Sequence, residues 1–159
     1  MMRSIRAAVS TAILEREARK HLTLRDMRHT KKLRSVRTRR VMRTHRDDEP
    51  IAMQLQFFHQ RLNTERFEGK LGTIAVRVSR RMRSRLGHYA PAQRGAPAEI
   101  AISASHVKRH GFNQAVQTLL HEMVHQWQDE SKLPLDHGAG FRAKAREVGI
   151  TARAARAVD

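Results

Sequence analysis

His121-Glu122-Met123-Val124-His125 is the stretch whose residue types and spacing prescribe a chemistry. On a helix, residues four apart lie one turn above each other, so both imidazoles reach a single ion. Glu122 is rotated by about 100° from His121. It therefore flanks the ion and is placed to take a proton from a water held there. A catalytic zinc takes three protein ligands and keeps one position open. His137 follows His125 by twelve residues and precedes Gly138-Ala139-Gly140-Phe141. Those glycines should let the backbone turn back towards the helix, which makes His137 the preferred third ligand. Glu147 and Asp129 compete for that place, and Asp129 or Asp136 could instead orient a ligand imidazole. The chain contains no Cys, which excludes disulfides and thiolate sites. The expectation is one Zn2+ ion. The bland alternative is a solvated helix with two chance histidines, in a chain that holds 10.

These groups need a helix beneath them. Phe112, Val116, Leu119, Leu120, Met123 and Trp127 form one stripe and predict a helix over residues 112–130. The His pair lies roughly opposite that stripe, so it is expected away from the core. An earlier helix starts at Pro50, which suits a first helical turn, and shows Ile51, Leu55, Phe58 and Leu62 on one face. Gly69 and Gly72 end that region. Ile74 to Val78 alternates as a strand, Met82 to Tyr89 is a weaker candidate, and Glu99 to Ser103 is a third. Together they predict a small antiparallel three-stranded sheet. A last helix is expected over residues 141–147. The fold class is α+β.

Charge divides the chain. The net charge is +17, of which residues 1–47 carry +11 and the remainder +6. The expected organisation is a basic arm, residues 1–47, and a catalytic body, residues 48–159. Ile5, Ala8, Val9, Ala12 and Ile13 recur at helical spacing, so this segment is read as an amphipathic helix and not as a signal peptide. Arg25, Arg28, Lys31, Lys32, Arg34, Arg37, Arg39, Arg40, Arg43 and Arg46 follow, with Asp26 the only acid among them. Such a segment, helical or disordered, would neutralise phosphates without reading bases, so nonspecific nucleic-acid binding is expected. Arg77, Arg80, Arg81, Arg83 and Arg85 form a second basic patch or a solvated sheet edge. Tyr89 is a candidate to polarise a scissile carbonyl. Trp127 is expected in the core. His59, His88, His106 and His110 lack ligand spacing and are expected at the surface. No apolar run is long enough to span a bilayer.

The sequence resembles the SprT-like metallopeptidases, which include the Spartan proteases that act on DNA–protein crosslinks. The resemblance runs from about Ile51 to Ile150. It rests on Asn63 with Phe67-Glu68-Gly69-Lys70-Leu71, on Val76-Arg77-Val78-Ser79, and on Arg81 through Tyr89. It continues through Leu120 to His125, Trp127, His137-Gly138 and Phe141. The combination of HExxH with a later HGxxF is far more specific than HExxH alone. The resemblance implies a compact α+β zincin-like domain that holds zinc through His121, His125 and His137, with Glu122 as general base. Many relatives carry a Cys-rich zinc element tied to DNA binding. A chain without Cys does not form one, so the basic arm is the expected substitute.

The expected function is therefore a zinc-dependent endopeptidase of DNA-associated proteins, of the DNA-repair kind, in a cytoplasmic or nucleoid setting. A substrate peptide would add as a strand to an exposed sheet edge. The rival is a nucleic-acid-binding protein whose zinc is structural or regulatory. The open fourth position and Glu122 speak against that rival.

Overall fold

The computed structural model describes residues 43–150, and most of the basic arm lies outside the described residues. A 3-10 turn, Arg46–Asp48, leads into helix α1, Glu49–Phe67, with Pro50 in its first turn. Strands β1, Ala75–Ser79, β2, Gly87–Ala90, and β3, Glu99–Ser103, follow. Helices α2, Ala104–His110, α3, Phe112–Glu130, and α4, Ala139–Glu147, complete the α+β body. No helix among the described residues is long and apolar enough to cross a membrane.

The sheet is mixed, not antiparallel as expected. Its spatial order is β1-β3-β2, with β1 parallel to β3 and β2 antiparallel to β3. Each strand does reverse direction relative to the one before it in sequence. Because β3 inserts between the other two, however, it lies beside β1 running the same way. All five residues of β3 are buried, which follows from its central position.

Helix α1 packs on β1 and α3, and α3 packs on β2 and β3. Leu55, Ile100, Ile102, Leu119, Met123 and Val124 have no exposed surface and form the centre of the core. Each such aliphatic side chain contributes about 1.5–3 kcal/mol through burial. Trp127 is half-buried at the core's margin, where Lys144 Nζ lies 5.3 Å from its ring centre. Helix α2 was not signalled by any periodic pattern. Its local sign is Ser103, whose hydroxyl accepts from the His106 N–H as a cap.

Both sheet edges are partly closed by side chains. On β1, the Val76 N–H donates to Gln56 Oε1 at 2.8 Å and the Val78 N–H to Thr44 Oγ1 at 3.2 Å. Such caps block the pairing of another chain.

Two histidines expected at the surface are buried. His59 is 1% exposed and its Nε2 lies 2.8 Å from Gln126 Oε1, while His106 Nε2 lies 2.9 Å from Thr118 Oγ1. Each finds a polar partner on α3, which offsets the cost of leaving water. Nothing in local spacing reveals partners that are brought close only by packing.

Candidate metal centre

Helix α3 carries His121, Glu122 and His125 in its second half. The helix is buried nearly all round there, so the histidine face is not open to solvent as expected: His121 is buried and His125 half-buried. The loop after α3 and the start of α4 cover that face. Phe141 of α4, itself buried, packs its ring 4.8, 4.7 and 4.6 Å from those of His121, His125 and His137. One aromatic side chain thus floors all three imidazoles.

His137 arrives from the loop between α3 and α4. The loop is held by the Leu133 N–H donating to Gln128 O at 2.8 Å and by Arg142 Nη1 donating to His137 O at 2.8 Å. The expected role of the glycines changes in detail, since neither Gly138 nor Gly140 has a positive φ. A Cβ at Gly138 would lie 2.8 Å from Asp136 Oδ1, which accepts the Gly138 N–H, so glycine there permits this turn without moving the carboxylate.

The three rings converge through the same atom. His137 Nε2 lies 3.1 Å from His121 Nε2 and 3.0 Å from His125 Nε2. Three nitrogens on a tetrahedral zinc with bonds of about 2.0–2.1 Å stand about 3.3 Å apart, so the spacing is close to a ligand set. His121, His125 and His137 form the group of possible metal ligands found among the described residues. Glu147 is not in that group; its exposed carboxylate pairs with Lys144 Nζ at 2.6 Å.

Protonation states support the fit. Gln128 Nε2 donates to the Asp136 carbonyl at 3.0 Å, which turns Gln128 Oε1 towards His125 Nδ1 at 2.8 Å. His125 Nδ1 therefore carries a proton, and in the neutral imidazole the lone pair is on Nε2. Burial, then the two neighbouring imidazoles, push the His121 pKa down to about 3, so this ring is neutral at ordinary pH. His121 Nδ1 is buried without a partner, and that ring packs against Phe141 and the other two imidazoles. Gln128 is the site residue that sequence reasoning missed. Asp129 and Asp136 were the expected orienting groups, yet Asp129 serves Tyr89 and Asp136 serves the loop.

Glu122 is 4% exposed, and burial raises its pKa to about 7 against the opposing pull of the Tyr89 N–H and Arg85. Its Oε2 accepts the Tyr89 backbone N–H at 2.7 Å. The Tyr89 hydroxyl donates to Asp129 Oδ2 at 2.7 Å, and the residue lines the cleft. The same backbone bond commits a donor on the outer side of β2, so the expected strand addition would lack it. Beside these groups is a cleft of about 460 Å3, with Arg85, His88 and Pro91 on the β2 side and Leu135 and Asp136 on the other.

Of the basic residues expected to bind nucleic acid, Arg43 and Arg46 are described and exposed, while Arg25, Arg28, Lys31, Lys32, Arg34, Arg37, Arg39 and Arg40 lie outside the described residues. In the second patch, Arg77 pairs with Glu99 and Arg80 with Asp47 and Asp48. Arg83 and Arg85 are exposed.

A search of curated proteins and of solved structures gives no match. A family comparison matches residues 55–158 to the SprT-like family. The match spans well over half of the chain and covers the helix, the later histidine and the aromatic floor beneath them. The chain belongs to the SprT-like family.

Proposed function

We propose that the chain is a zinc-dependent endopeptidase with a zincin-like body, residues 48–159, and a basic arm, residues 1–47, that binds nucleic acid. Membership of a family linked to metallopeptidase activity supports this reading. The observation that carries it is the meeting of three imidazole Nε2 atoms beside the buried carboxylate of Glu122. His121, His125 and His137 would hold the ion. Bound zinc would supply Lewis acidity to a peptide carbonyl and to a water.

The remaining chemistry belongs to the chain's own groups. Glu122, near neutrality in its pKa, takes a proton from the attacking water and returns it to the departing amine. The Tyr89 N–H holds that carboxylate in place. A peptide in the cleft would lie along β2, where the Tyr89 carbonyl faces the same side as its N–H and can accept from the substrate backbone. The arm, at high positive charge, would keep the enzyme on DNA in an intracellular setting, and the substrates would be proteins bound there.

The test is cleavage of DNA-bound and free proteins by the zinc-loaded chain and by Glu122→Gln. The expected result is one zinc per chain in both, with cleavage falling by about 10²–10⁴-fold in the variant. Zinc binding without any cleavage by the unaltered chain would favour the rival, a nucleic-acid-binding protein with a non-catalytic zinc. The net charge of +17 is the observation behind that rival.

A further inference from the structure

We propose that Gly87 is a positioning residue for Glu122: its bare α-carbon makes the space in which the carboxylate meets the Tyr89 N–H. The inference rests on the peptidase reading, since it assigns Glu122 a task that depends on its aim.

Gly87 opens strand β2 and is buried. Glycine inside a strand weakens it and often marks a close approach of another group. No positive φ is recorded at Gly87, so backbone conformation does not demand glycine. Space does. A Cβ at this position would lie 2.8 Å from Glu122 Oε1, 3.0 Å from Glu122 Cγ and 2.6 Å from Thr118 Cγ2. Real Cβ atoms do not come that close, so a neighbour must move.

Gly87 and Tyr89 are two apart on β2 and therefore share one side of the strand. They act on the two oxygens of one carboxylate: Tyr89 N–H holds Oε2 at 2.7 Å, and Gly87 leaves room for Oε1. Glu122 is 4% exposed, so the side chain cannot swing into solvent without leaving that bond. A methyl group at 87 would turn the carboxylate away from Tyr89. Misplacement of a reacting group by about 1 Å costs on the order of 10²-fold in rate. The three atoms nearest that Cβ belong to Thr118 and Glu122 and not to a histidine, so zinc binding should survive.

The experiment uses the full chain as Gly87→Ala, Thr118→Ser and the double variant. Thr118→Ser removes the methyl nearest the new Cβ and keeps the hydroxyl that meets His106 Nε2 at 2.9 Å. Its contact with Glu122 is then the one left to read. The expected double variant binds zinc at the level of Thr118→Ser, keeps KM within about threefold and loses about 100-fold in kcat. Its Tyr89 amide exchanges hydrogen faster, with and without zinc. Should the double variant not fold, adding Glu122→Ala is expected to restore folding. Three results overturn the proposal: kcat close to that of Thr118→Ser, an equally protected Tyr89 amide, or no rescue by Glu122→Ala. If the unaltered chain proves inactive while amide protection still depends on Gly87, the peptidase reading fails and the positioning stands.

Discussion

Tyr89 donates its hydroxyl to Asp129 Oδ2 at 2.7 Å, two turns along α3 from Glu122, which takes the backbone N–H of the same tyrosine. One residue of β2 is therefore pinned to α3 at two levels. The hydroxyl serves this attachment, and burial together with Asp129 raises its pKa above the ordinary range. It remains a neutral donor at any working pH.

Tyr89→Phe should separate attachment from catalysis. The backbone N–H that holds Glu122 is retained, whereas a hydrogen bond to a charged acceptor is lost. Stability should fall by about 1–3 kcal/mol, measured by urea denaturation. The kcat for peptide cleavage should change by less than about tenfold. A loss nearer 10²–10³-fold, the cost of removing an oxyanion donor, would assign the hydroxyl to the reacting carbonyl.

Gln128→Ala should weaken zinc binding without touching a ligand. Gln128 fixes the proton on His125 Nδ1 and ties that ring to the loop that carries His137. Loss of such a partner typically costs about 10–100-fold in metal affinity. Competition with a chromophoric chelator measures it. Unchanged affinity would mean that Phe141 and the loop orient His125 on their own.

Acid should destabilise the fold through its buried, neutral histidines. Burial lowers the pKa of His59 and of His106 below the ordinary histidine value of 6.5. Between the unfolded and folded pKa values the unfolded chain binds more protons, so stability rises with pH. The contribution is complete above about pH 6.5 and is lost as pH falls from there through the folded values. In urea midpoints of zinc-free protein from pH 8 to pH 5 this decline runs against Glu122, whose raised pKa acts in the opposite sense. His59→Gln should flatten it, because the amide keeps a partner for Gln126 and does not titrate. A decline unchanged by that substitution would remove His59 from the account.

By itself the sequence determined the helix that bears His121, Glu122 and His125, the strand Glu99–Ser103, the preference for His137 and the family. Those features are local: a periodic stripe, an alternation, a fixed spacing of ligand types, each set by backbone geometry within a few residues. Only the tertiary structure decided what lies between elements. It made the sheet mixed, because strand order in space is not order in the chain. It buried His59 and His106 against partners on α3, and it gave the orienting role to Gln128 in place of Asp129 and Asp136. It also set Gly87 and Tyr89 against Glu122, a contact across 33 residues for Tyr89 that no spacing rule encodes. Side-chain partnership depends on where packing leaves room and which polar atoms it strips of water, and a linear pattern carries neither.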